Sequence, residues 1–283
     1  MTEAGTALAV AIGRTPRTEA LFTGAVSDPA LPLELPAIPA ITGAFPAMVR
    51  EGRWPVSEMA IATFLMAKEA GRPLVLLPCV LAARAQEGSL LCREDSPLRG
   101  PHQLRGARVG VRAYSQTTGM WLRGILAESH SVPPEQVRWT TFEEAHVADF
   151  RDPPWCERAA AGATLEGMLR EGTLDAAIFG SEAPPGFRTV FPEPVDASEA
   201  FRARHGFVPV NHLLIARSDV ARDRAPELMR LLNLFNASGA NVTTRAALAP
   251  ALSLAARWCA EQGLTRRSLA LSEIWSGTPH EIG

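Results

Sequence analysis

One segment constrains this chain more than any other: Arg108-Val109-Gly110-Val111-Arg112-Ala113-Tyr114-Ser115-Gln116-Thr117-Thr118-Gly119-Met120-Trp121-Leu122-Arg123-Gly124. Val109 to Val111 reads as a short buried strand. A hydroxyl-rich turn follows, and a helix opens at Thr117 or Thr118. A strand feeding directly into a helix is half of a βα unit, and such units build parallel sheets covered by helices. The turn also carries a chemical expectation. A helix start leaves backbone N–H groups without partners and carries the positive end of the helix dipole. At the carboxyl end of a parallel strand it seats an anion. Tyr114, Ser115, Gln116, Thr117 and Thr118 are therefore expected to bind a ligand; the competing reading is an ordinary hydroxyl N-cap.

The alternation extends along the chain. Ala7 to Ile12 reads as a first strand, and Leu31 to Ile41 as Pro-rich and extended. Ser57 is expected to cap a buried helix running to about Ala70 and stopping at Gly71. Leu74–Leu77, Ser89–Cys92, Leu174–Phe179 and His212–Ala216 read as further strands. Thr141 and Glu144 resemble a capping box for a short helix holding His146, ended by Pro153 and Pro154. Helices are also expected over Thr164–Glu171, closed by Gly172, from Pro226 through Phe235, and over Ala246–Gln262. The fold class is α/β with two lobes and a ligand cleft between them: residues 1–94 with 210–283, and residues 95–209.

Composition narrows the function. Of 283 residues, 47% are hydrophobic and 20% charged, enough for ample cores. A net charge of −2 gives no footprint for nucleic acid or an anionic membrane. Among 28 basic residues the single lysine is Lys68. Schiff-base chemistry would rest on it alone, and it reads as a helix-end cation. The stretch Met1 to Thr18 shows no secretory pattern and no segment is long enough to span a membrane, so a cytoplasmic location is expected. Cys79, Cys92, Cys156 and Cys259 are scattered, as buried free thiols would be, and no metal site is expected. The oligomeric state, a homo-oligomer included, stays open.

Several segments then resemble a known family. Leu104-Arg105-Gly106-Ala107-Arg108-Val109-Gly110-Val111 looks like the "dLkGkrVGv" opening of the second lobe in type II periplasmic-binding-protein folds. Leu169-Arg170-Glu171-Gly172-Thr173-Leu174-Asp175-Ala176-Ala177-Ile178 looks like that lobe's closing "L..GeiDAai". Val56 to Ala67 resembles the "vSEms.ssyLma" segment of the 4,5-dihydroxyphthalate decarboxylase family, Val111 to Gly124 its "Y..Ta.vW.RG.L" stretch, and Val208-Pro209-Val210-Asn211-His212 its "iPImH" strand. With Gly13-Arg14-Thr15-Pro16-Arg17-Thr18 in place of a "GDYDRT"-like loop, the resemblance covers most of residues 7 to 235. Arg17 and Thr18 are what remains of that loop. The family's basic "FRHS" patch is replaced around Arg84-Ala85-Gln86-Glu87-Gly88-Ser89, where a glutamate stands about where a histidine is expected.

The resemblance implies a cofactor-independent lyase acting on a dihydroxylated aromatic dicarboxylate. Decarboxylation there means protonating the ring carbon that loses CO2, while a para hydroxyl pushes in electrons. Such a site needs a clamp for the retained carboxylate and a proton donor. His212 and His146 are the candidate acids. Arg17, Thr18, Ser57, Glu58 and Arg84 join the 114–118 turn as candidate substrate-binding residues; Ser57 and Glu58 also read as plain helix-start residues. Trp121 reads as core, and Trp155 as a loop residue able to cover the cleft. The competing function is solute binding for a transporter, or a cytosolic sensor, with a small organic anion as ligand.

Overall fold

The computed structural model describes residues 7–180 and 183–283; the first six residues of the stretch read for a leader lie outside it. Twelve strands run through the described residues: β1 (Leu8–Ala11), β2 (Leu33–Glu34), β3 (Val56–Ala60), β4 (Leu74–Ala83), β5 (Leu90–Arg93), β6 (Arg108–Val111), β7 (Arg138–Thr141), β8 (Cys156–Arg158), β9 (Ala176–Ile178), β10 (Phe187–Thr189), β11 (Val210–Arg217) and β12 (Asn241–Val242). The chain divides into two compact units. The first takes the chain up to Ala83, Val210–Ser253 and Leu269–Gly283; the second takes Arg84–Pro209 and Leu254–Ser268. The first change of unit falls at residues 83 and 84 rather than at 94 and 95, and residues 254–268 go with the second unit.

The first unit holds a six-stranded sheet in the order β12-β4-β11-β3-β1-β2. β1 pairs in parallel with β2 and β3, whereas β11 runs antiparallel to both β3 and β4. The sheet is mixed, not largely parallel as the βα alternation suggests. The chain re-enters at Val210 beside Ala83, the end of β4, and a strand begun there can only run back along β4. Helix Ala225–Ala237 buries Leu228, Leu231, Leu232 and Phe235, one stripe at helical spacing, against Val10, Val75, Leu77 and Leu214. Each such side chain taken fully from water contributes roughly 1.5–3 kcal/mol. Helix Ile61–Glu69 is buried from Ile61 through Ala67. Lys68 lies in its last turn and donates to Leu74 O at 3.2 Å and Ser276 O at 2.6 Å.

Ser57 does not cap that helix. Val56–Ala60 is a strand paired on both sides, to β1 and β11, and two ladders outweigh a local capping preference. The helix begins only after Ala60.

The second unit holds the other sheet, order β10-β5-β9-β6-β7-β8. β6 is parallel to β7 and β9, and β7 to β8; β5 is antiparallel to β9 and β10. Its helices include Thr117–His130, Leu165–Arg170 and Pro194–His205. Thr164 caps the second of these by accepting from Gly167 N–H, and Gly172 follows at φ 76°. The helix expected around His146 is absent. The N–H groups of Phe142 and Glu143 both go to Arg112 O, and Thr141 Oγ1 donates to Asp152 at 2.8 Å. With its start signals spent elsewhere, the segment 142–150 stays in bends and turns. No helix among the described residues is long and apolar enough to cross a membrane.

Candidate functional site

In the first unit, the antiparallel register of β3 and β11 sets Leu214 opposite Glu58 and His212 opposite Ala60. Glu58 and His212 are therefore diagonal neighbours on one face of the sheet. His212 Nδ1 lies 2.6 Å from Glu58 Oε1, and Gly13 N–H donates to Glu58 Oε2 at 2.9 Å. A carboxylate only accepts, so Nδ1 carries the proton towards Glu58 and His212 exchanges protons through Nε2. Nε2 has no hydrogen-bond partner among the described residues. The Glu58 side chain is 6% exposed and that of His212 is 21% exposed, so the carboxylate is sealed while the imidazole still reaches solvent. Phe45 meets the imidazole edge-on, ring centroids 5.3 Å apart. Nearby, burial with help from Glu58 pushes the Cys79 thiol up to about 12, which removes it as a nucleophile.

Thr18 and Arg17 stand on the loop after β1. Thr18 is buried, donates to Gly13 O at 2.7 Å and accepts from Thr15 N–H at 2.9 Å. It shapes the loop that presents Gly13 to Glu58. Arg17 is exposed. Ser57 points its hydroxyl at Glu58 O, 2.8 Å, and is fully buried, which leaves it no surface for a ligand.

In the second unit, the 114–118 turn divides. Tyr114 is fully buried: its hydroxyl donates to Gln262 O at 3.1 Å and accepts from Trp155 Nε1 at 3.2 Å. It belongs to the core and is withdrawn as a ligand contact; Trp155 is its hydrogen-bond partner. Gln116 occupies the N-cap position of helix Thr117–His130, extended, with no side-chain cap. Its Oε1 is buried without a hydrogen-bond partner. The N-cap reading thus fails while the helix start itself is confirmed. Ser115, Thr117 and Thr118 are each 4% exposed. Arg84 reaches this start: Nη2 donates to Thr118 Oγ1 at 3.2 Å, and Nη1 to Gly180 O at 2.9 Å and Ser89 Oγ at 3.3 Å. All three acceptors are neutral. Among the described residues no carboxylate pairs with this guanidinium, and burial lowers its pKa. Nε–H and the second Nη2–H are left, the pair a carboxylate accepts bidentately.

His146 is buried in the 142–150 segment. The two candidate acids lie in different units. Sequence reasoning singled out His212 and Glu58 separately but not as a pair, because register is invisible to it. It also left Glu87 without a role. Glu87 is fully buried, Oε2 accepts from Gln86 N–H at 2.9 Å, Oε1 has no partner, and burial pushes the carboxyl pKa up.

No known protein-family profile matches the chain. Two curated relatives do. A 4,5-dihydroxyphthalate decarboxylase from Comamonas testosteroni is 24% identical over 95% of this chain and 86% of its own length. A protein of the same name from Pseudomonas putida is 28% identical over 66% of this chain and 74% of its own. Among solved structures, the periplasmic aliphatic sulphonate binding protein SsuA from Escherichia coli aligns with a TM-score of 0.54 at 14% identity, over 96% of this chain and 82% of that one. A putative periplasmic sulfonate-binding protein from Methylobacillus flagellatus aligns with a TM-score of 0.57 at 10% identity, over 96% and 92%. At those identities the structures speak for the fold alone. The chain is thus a distant sequence relative of 4,5-dihydroxyphthalate decarboxylases, built on the two-lobed α/β fold of periplasmic binding proteins.

Proposed function

We propose that this protein is a carboxy-lyase that removes CO2 from a dihydroxylated aromatic dicarboxylate such as 4,5-dihydroxyphthalate. The observation that carries the reading is the Glu58–His212 pair, an oriented imidazole with one open nitrogen in a relative of decarboxylases. The protonated His212 ring gives its Nε2 proton to the ring carbon that bears the departing carboxylate. The hydroxyl para to that carbon supplies the electrons. The bond to the carboxylate then breaks, its electron pair restores the aromatic ring, and CO2 and 3,4-dihydroxybenzoate leave. Glu58 holds the imidazole orientation and balances its charge. Within the second unit, Arg84, Thr118 and the helix start are donors of the kind a carboxylate accepts. No cofactor is asked for, because the hydroxyl provides the electronic push. A cytoplasmic location, expected from the sequence, belongs to the same proposal.

One observation favours the alternative, capture of a small organic anion without turnover: the open donor pair of Arg84 binds a carboxylate or sulfonate equally well with no chemistry following. Purified protein incubated with 4,5-dihydroxyphthalate separates the two. The lyase reading expects CO2 and 3,4-dihydroxybenzoate in equal amounts; thermal stabilisation by the acid with no product supports the binding role instead.

A further inference from the structure

Arg123 is fully buried, although a guanidinium is among the most expensive groups to remove from water. It stands in helix Thr117–His130, and its side chain folds back towards the helix start, as helical side chains do. Nη2 donates to Tyr114 O at 2.6 Å and Nε to Gln262 Oε1 at 2.8 Å. Gln262 in turn donates from Nε2 to Met120 O at 2.8 Å. The guanidinium carbon lies 3.8 Å from the Tyr114 ring centroid and 5.3 Å from that of Trp139. Nη1 is buried with no hydrogen-bond partner, and a Cβ at Gly119, in the first turn of the helix, would stand 3.0 Å from it. Among the described residues no carboxylate makes an ion pair with Arg123. Burial lowers its pKa, but arginine stays charged.

A core position alone needs no cation; an apolar side chain of similar volume stabilises as well or better. Two consequences for the neighbouring turn give the charge a use. The peptide joining Tyr114 to Ser115 is planar and trans, so drawing the Tyr114 carbonyl towards Arg123 aims the Ser115 N–H the opposite way, away from the guanidinium. The charge also lies behind the same helix start whose Thr118 hydroxyl Arg84 contacts, so two guanidiniums with no carboxylate partner among the described residues act on residues 114–119.

We propose that Arg123 is a positioning residue for the anion seat: from within the core it fixes the Tyr114–Ser115 peptide and adds an unneutralised positive charge behind the helix start. The inference rests on reading residues 115–118 as an anion seat and does not depend on turnover.

Calorimetric binding of phthalate, a dianion without the reactive hydroxyls, tests it, with melting temperatures alongside. Arg123→Lys keeps the charge and loses the fork, and is expected to bind about tenfold more weakly; Arg123→Met, losing both, about a hundredfold more weakly. Leu126→Ala, a buried position on the same helix, is expected to melt lower yet bind like the wild type. Should Arg123→Met fail to fold, Gln262→Ala frees the guanidinium while keeping it, with about fivefold weaker binding expected. Folded Arg123→Met, or Gln262→Ala in its place, binding phthalate within twofold of wild type overturns the inference. So does a Leu126→Ala protein that loses as much affinity as the arginine variants, or a wild type that does not bind phthalate. Wild-type protein that binds phthalate but leaves 4,5-dihydroxyphthalate unchanged overturns the lyase reading and leaves this one standing.

Discussion

His212 Nδ1 and Glu58 Oε1 approach to 2.6 Å across adjacent antiparallel strands, 154 residues apart in the chain. The bond fixes which nitrogen of the imidazole stays open, and Gly13 N–H fixes the carboxylate from its other oxygen. Replacing Glu58 by Gln keeps an acceptor for Gly13 but removes the charge that balances the imidazolium. We expect kcat on 4,5-dihydroxyphthalate to fall by about 10²- to 10⁴-fold with KM nearly unchanged. Steady-state kinetics check this; an unchanged kcat removes Glu58 from the mechanism.

Arg84 offers a carboxylate two donors on a guanidinium whose hydrogen-bond partners among the described residues are all neutral oxygens. Arg84→Met should weaken phthalate binding by about 1.5–3 kcal/mol, the worth of hydrogen bonds to a charged group. Thr118→Val should cost about 0.5–1.5 kcal/mol, by loosening the guanidinium. Titration calorimetry reads both. Wild-type affinity in Arg84→Met would move the anion seat elsewhere.

Glu87 titrates in the opposite sense from an ion-paired carboxylate. Burial raises its folded-state pKa above the ordinary value of 4.5. The folded protein therefore binds this proton more tightly than the unfolded chain. The stability it contributes is present in full below pH 4.5 and is lost as pH rises through the raised folded pKa. Glu87→Gln removes that loss. The variant should gain in melting temperature relative to wild type as the pH is taken from 4.5 to neutrality. A difference between the two that stays constant with pH would contradict the assignment.

Gly124 answers to packing. A Cβ there would lie 2.0 Å from the Trp258 ring, in the second unit, where Trp258 also meets Trp121 edge-on at 5.5 Å. Gly124→Ala should destabilise the fold by about 1–3 kcal/mol or more despite its better helix propensity. Denaturant unfolding measures it, and a variant as stable as the wild type would show that the indole can step aside.

The strand-to-helix segment was legible because hydrophobic period and turn chemistry are local. Strand β6 and the helix at Thr117 stand where that pattern puts them, and Trp121 is core. Ser57 misled, because a serine before an apolar run reads as a cap and the two ladders that hold β3 are not local. Tyr114 misled for a related reason. A lone tyrosine among hydroxyl residues reads as a ligand group, and only its stacking on Arg123 and its bond to Gln262, far along the chain, place it in the core. Glu87 carried a legible signal, a glutamate about where the resembled family has a histidine, but its burial depends on surrounding structure.

The most direct test of the central claim compares turnover and binding of 4,5-dihydroxyphthalate by the wild type and His212→Asn. The account predicts that both proteins bind the acid and that the wild type alone releases CO2 and 3,4-dihydroxybenzoate. Equal rates in the two proteins, or no product from either, would contradict it.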